Sequence, residues 1–245
     1  MIAFRSAIAA AATIAMMSWA SFAEAQQALP NLPPLDKTLS SSETALIVVD
    51  FQNSFASPKG EHYPRFEKIY KETRMLEISA DLVKQARALG IQVVHVTEGY
   101  TPDYRELDWG NGGQFHRSQI VRQAWKSGTW DVELADSVKP GPNDRDIVLP
   151  DRKTLSGFGG NGLDYILKSR GIRNVAVMGY TSDICVYATT LAAYDLGYRV
   201  FAITDAMVGA DDAAAREMLR YNYPKLARVL TAKDFVGMFP TRKPS

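Results

Sequence analysis

Apolar runs and helical spacings alternate along most of this chain. Residues 45–50, ALIVVD, form a continuous apolar run closing on an acid, the pattern of a strand covered on both faces. Residues 76–89 place their apolar positions at helical spacing, and Gly90 is set to stop that helix. Residues 91–97 predict a second strand, carrying His95 as a satisfied structural histidine, and 146–149 a third. A helix over 161–170 closes at Gly171, and the short buried-type strand 174–178 ends at Gly179. Thr181, Ser182 and Asp183 are cap-type residues ahead of a helix from Ile184 that Gly197 terminates. A strand at 200–203, a helix over 211–223, a last strand at 228–230 and a terminal turn capped by Thr231 complete the pattern. Strands alternating with helices predict a doubly wound, mostly parallel sheet with helices on both faces.

The alternation breaks between Glu98 and Gly128, where Tyr100, Tyr104, Trp109 and Phe115 are mixed with glycine and proline. Long irregular loops in compact domains are usually functional. This one is expected to form a substrate-pocket lid, with contact between subunits as its other role. Residues 1–25 carry Arg5, an apolar run over 7–17 and the small-x-small site Ala23-Glu24-Ala25, which together predict a cleavable signal peptide. The apolar run is short for a membrane span. A periplasmic or secreted product starting at Gln26 is therefore expected, with no membrane partner after cleavage. Residues 26–43 then form a proline- and serine-rich arm, and 44–245 a single α/β domain.

Charge narrows the class of partner. Lys and Arg number 28 against 27 Asp and Glu, with no basic run, so neither nucleic acid nor an anionic membrane surface is indicated. The single cysteine, Cys185, cannot form an internal disulfide. It falls in the first turn of a helix, where free N–H groups and the helix dipole favour a thiolate. Asp50 ends the first strand, and Lys153 follows the third, ahead of the glycine-rich run 154–160. Carboxyl ends of parallel strands converge at one edge of a doubly wound sheet. An acid, a cation and a thiol meeting there would suit acyl transfer: the thiolate attacks, the carboxylate handles its proton, the cation favours developing charge.

These residues resemble the isochorismatase-like cysteine hydrolases. Val48-Val49-Asp50-Phe51-Gln52 is similar to the family's strand ending in Asp-x-Gln, residues 153–158 to its Lys-x-x-Ser-small-Phe, and 179–186 to its Gly-x-x-Thr/Ser-Asp-x-Cys-Val. The resemblance runs from about Thr44 to the C-terminus. It implies a six-stranded, three-layer α/β/α domain with Cys185 as nucleophile, Asp50 as general base and Lys153 as charged partner. It also implies a cis peptide before Thr181 and an oxyanion hole from the Thr181 and Cys185 amides. Gln52, Glu98, Tyr100, Trp109 and Phe158 are the expected substrate contacts, and a homo-oligomer is expected. Metal-dependent members carry Asp-x-His after the second strand, where this chain has Glu98-Gly99-Tyr100. With only His62, His95 and His116 in the chain, neither a metal nor a cofactor is expected. The run TEGYTPD is closer to members that cleave ureido or carbamoyl amides, with Tyr100 where those often have His. The expected activity is hydrolysis of a small amide, ureido or carbamoyl C–N bond through a thioester. A vinyl-ether hydrolase of the isochorismate type and a non-catalytic thiol sensor are the alternatives.

Overall fold

A computed structural model describes residues 36–111, 113–209 and 212–240. The expected signal peptide and the first part of the arm lie outside the described residues. Six parallel strands form one sheet in the order β3-β2-β1-β4-β5-β6: β1 Thr44–Val49, β2 Gln92–Glu98, β3 Ile147–Arg152, β4 Asn174–Tyr180, β5 Arg199–Val208 and β6 Arg228–Leu230. Alternation in β1 sends Leu46 and Val48 to one core and Ala45, Ile47 and Val49 to the other. Both faces are therefore covered, which is why the strand is apolar throughout. Helices α1 Asn53–Ala56, α2 Tyr63–Thr73 and α3 Met75–Leu89 follow β1, and α4 Gln114–Arg122 lies within the long segment after β2. Helix α5 Leu163–Ser169 precedes β4, α6 Cys185–Asp195 follows it, and α7 Asp212–Glu217, α8 Tyr223–Leu226 and α9 Ala232–Val236 close the chain. A π-helical stretch, Met218–Asn222, joins α7 to α8, so the single helix expected over 211–223 is interrupted.

Three differences from the sequence reading have physical causes. Strand β3 runs through Pro150 to Arg152 because it is the edge of the sheet, where a proline removes no needed ladder hydrogen bond. Strand β4 runs through Gly179 to Tyr180; Gly179 has φ 117°, and a Cβ there would sit 2.0 Å from the Val49 carbonyl oxygen. The glycine thus lets two central strands approach rather than ending one. Gly179→Ala is expected to cost about 1–3 kcal/mol of stability by overpacking; a urea midpoint equal to that of the wild type would contradict it. Finally, the described part of the arm is packed. Leu39 is buried, its N–H donates to the Met238 carbonyl, and Asp36 accepts from Arg199 and Arg228.

The order of the strands reverses between β1 and β4. Ligands in open α/β sheets bind at the carboxyl end of such a switch point. Asp50 leaves β1 at that point, and the Thr181 to Cys185 turn leaves β4 beside it.

Candidate active site

Asp50 follows β1 in the left-handed region, with φ 51°, and its N–H donates to the Val96 carbonyl. A non-glycine residue held there costs free energy that its surroundings must supply. After β4 the Tyr180–Thr181 peptide is cis, as the resemblance implies. The Thr181 carbonyl then accepts from the N–H groups of Ile184 and Val186, folding the turn onto the start of α6. The helix begins at Cys185, and Ile184, the residue at its N-cap, makes no side-chain cap. Asp50, Glu98 and Cys185 are all buried, with ligand-type atoms within 4.8 Å of one another.

The cation of this cluster is Arg152. Its Nη2 donates to both oxygens of Asp50, at 2.6 Å to Oδ1, and lies 3.9 Å from Glu98 Oε2. Nη1 donates to the carbonyls of Thr154 and Leu155, so the loop after β3 wraps around the guanidinium. The Arg152 side chain is 0 % exposed. Lys153, expected in this place, turns the other way. Its Nζ donates to the Gly99 carbonyl, lies 3.4 Å from Glu106 and sits over the Tyr100 ring, with the side chain 38 % exposed. Arg152 closes β3 and Lys153 is the first residue beyond it, so the two successive side chains leave the chain in different directions and only one of them enters the cluster. A register irregularity between Val96 and Glu98, with Asp151 at φ 58°, sets which one does.

Electrostatics keep this cluster short of full ionisation. Burial raises the Asp50 carboxyl above its ordinary range, against the opposing pull of Arg152. Burial pushes Glu98 up to about 8; Arg152 works against that shift and the Asp50 charge adds to it. Burial also drives the Cys185 thiol well above its usual value, reinforced by Asp50 and Glu98 and only partly relieved by Arg152. The thiolate expected from the helix terminus is therefore not the resting form, because desolvation and two acids outweigh one helix end. Arg152 keeps its charge despite burial, held by Asp50 and Glu98.

A cavity of about 300 Å³ opens above the cluster, the small end of the range for ligand sites. Asp50, Glu98, Thr181 and Cys185 lie at its base, and Phe55, Phe66, Phe115 and Trp125 supply apolar wall, with Arg65 and Gln114 among its polar lining. Of the expected substrate contacts, only Glu98 lines it. Gln52 is buried as a brace, its amide donating to the Glu98 carbonyl and accepting from the Glu98 N–H. Tyr100 is also buried and donates its hydroxyl to Glu98 Oε1. Trp109 is 50 % exposed, with Arg117 over its ring, beside a separate shallow surface concavity. Phe158 packs on Tyr198, in the core of the opposite face. The segment 98–128 does wall the pocket, but through Phe115, Ser118 and Gln119 of α4 and through Trp125. His95 is buried in β2 with its Nε2 2.7 Å from Asp146, but its Nδ1 has no hydrogen-bond partner, so it is only partly the satisfied structural histidine expected. Among the described residues, only Asp50, Glu98 and Cys185 gather in a manner that could suit a metal, and Arg152 already supplies positive charge to both of the acids.

Comparison with known proteins places the chain in a family. The Isochorismatase domain family matches residues 44–234. The ureidoacrylate amidohydrolase RutB of Agrobacterium fabrum (strain C58) is 30 % identical over 227 residues, covering 84 % of this chain and 94 % of that protein. RutB of Azorhizobium caulinodans is 31 % identical over 208 residues, with 80 % of this chain and 90 % of that protein covered. Among solved structures, N-carbamoylsarcosine amidase from Thermoplasma acidophilum superimposes with a TM-score of 0.60 at 26 % identity, covering 78 % of this chain and 96 % of that one. With the family match spanning most of the chain, and a switch-point cleft holding Asp50 and Cys185 above a six-stranded parallel sheet, this chain belongs to the isochorismatase family.

Proposed function

We propose that this protein hydrolyses a non-peptide C–N bond of a small amide, with Cys185 as the nucleophile. The observation that carries the reading is the buried cluster itself, a thiol within reach of a carboxylate that is clamped by a guanidinium. Because the thiol rests protonated, attack on the carbonyl carbon requires a base at the sulfur. Asp50 fills that role, with a carboxylate oxygen within 4.8 Å of the Cys185 sulfur. The Thr181 and Cys185 amides sit at the turn above β4, where they would receive the oxyanion. Arg152 takes the part of charged partner that the sequence motif assigned to Lys153. The thioester so formed is then released by water.

Similarity to ureidoacrylate amidohydrolases and to an N-carbamoylsarcosine amidase favours ureido or carbamoyl substrates over vinyl ethers. The aromatic wall suits a flat molecule, and Arg65 suits one that also carries a carboxylate. The test is ammonia release from ureidoacrylate, N-carbamoylsarcosine and nicotinamide, with intact-mass detection of an acyl adduct on Cys185. Turnover of at least one ureido compound is expected, and Asp50→Asn, which keeps the shape but cannot accept the proton, should lose on the order of 10²–10⁴-fold. Neither ammonia nor adduct from any of the three would overturn the reading.

A further inference from the structure

We propose that Glu98 is a second catalytic carboxyl, the acid that protonates the departing nitrogen, so that Asp50 and Glu98 work as a pair around Arg152. This rests on the reading of Cys185 as an acylated nucleophile. The reaction needs two proton movements in its first half: one away from sulfur and one onto nitrogen. A lysine partner can give up a proton, whereas a guanidinium stays charged and cannot. Asp50, clamped on both oxygens by Arg152, keeps the sulfur's proton until the C–S bond breaks, and the second proton is assigned to the other buried carboxyl of the cluster, Glu98.

Glu98 is built into that position. Gln52 holds its backbone on both sides, and Tyr100 donates to Oε1, leaving Oε2 to carry a proton. The charged and titratable groups that face it are Arg152 from β3, Asp50 beyond β1, Tyr100 and Lys153 from the flanking loops, and Cys185 of α6. Two carboxyls beside a single guanidinium favour one shared proton between them. Burial raises both carboxyls, Glu98 to about 8, and the Arg152 clamp on both Asp50 oxygens, against 3.9 Å to Glu98 Oε2, favours the proton on Glu98.

The cycle then closes without a further acid. Cys185 loses its proton to Asp50 as the S–C bond forms. The C–N bond breaks with its electron pair going to nitrogen, which takes the Glu98 proton. The thioester is left with Asp50 neutral and Glu98 ionised. Water next attacks the thioester carbon and gives a proton to Glu98. The C–S bond breaks with its pair going to sulfur, which takes the Asp50 proton. Thiol, Asp50 carboxylate and Glu98 acid are restored, and one amide has become one acid and one amine.

The experiment compares the best amide of the panel with p-nitrophenyl acetate, whose leaving group departs without a proton. Glu98→Gln keeps the shape and loses the acid. Amide kcat should fall about 10²-fold or more, while the ester burst, read as Cys185 acylation, falls far less. The kcat/KM profile for the amide in the wild type should decline as pH rises through about 8, because the protonated form is the working one. Tyr100→Phe removes a hydrogen bond that favours the Glu98 carboxylate, so its alkaline limb should move upward. If Glu98→Gln does not fold, that limb decides: displacement supports the proposal, and an unmoved limb overturns it. Equal losses on amide and ester, or a raised KM with kcat intact, would make Glu98 a binding group and overturn the proposal alone. No adduct from either compound in the wild type would take the thioester reading down with it.

Discussion

Cys185→Ala is expected to abolish amide turnover while leaving the fold in place. The side chain is small, sits at the first residue of α6 and has no disulfide to lose. Its loss removes a nucleophile for which the cleft offers no substitute, since the Asp50 carboxylate is held on both oxygens by Arg152. Circular dichroism and urea unfolding close to wild type, with no acyl adduct, would be the expected pair of results. Cys185→Ser should resemble the alanine variant, because an alcohol is a much harder proton to remove beside two acids. Residual turnover within about tenfold of wild type in either variant would remove the thiol from the mechanism.

The second large effect concerns the two adjacent cations. Arg152→Met leaves Asp50 and Glu98 buried without their counter-charge, and breaking a buried pair from one side costs about 3–5 kcal/mol. Activity should also fall by two orders of magnitude or more, as expected on removing a charge that stabilises the reacting groups. Lowering the pH should recover part of the stability. Both acids already have raised pKa values, so the folded state binds protons more readily than the unfolded chain and gains as pH falls. Lys153→Met, in contrast, removes a part-exposed ion pair worth about 1 kcal/mol or less, and activity should be nearly retained. Arg152→Lys should restore much of the stability. If Lys153→Met kills activity and Arg152→Met does not, the assignment drawn from the geometry is reversed.

The contrast between these two residues also shows what the sequence could and could not convey. The strand-helix alternation predicted the sheet because each central strand is apolar on both faces, a pattern few other architectures require. That Asp50 and Cys185 meet at one edge of the sheet was legible because each sits at an element boundary, one at the close of an apolar run and the other at a helix start. The identity of the cation was not. It depends on which of two consecutive residues faces inward, and a shift of one position exchanges them. Pro150 reads as a strand terminator, yet β3 is an edge strand that continues through it to Arg152. Tyr100 and Gln52 were expected at the substrate and instead hold Glu98 from behind, a role only three-dimensional contacts disclose. The aromatic wall drawn from α1, α2 and the 98–128 segment likewise comes from residues far apart in sequence, with no spacing to announce it.

The packed end of the N-terminal arm has a practical consequence for where the chain can be shortened. Asp36 ties down Arg199 at the start of β5 and Arg228 at the start of β6, while Leu39 hydrogen-bonds to Met238 beyond α9. Eight residues outside the sheet thus act as a clasp across three segments near the chain's other end. A truncation beginning at Thr44, the first residue of β1, would open that clasp and expose the pocket Leu39 fills, whereas one beginning upstream of Asp36 keeps it shut.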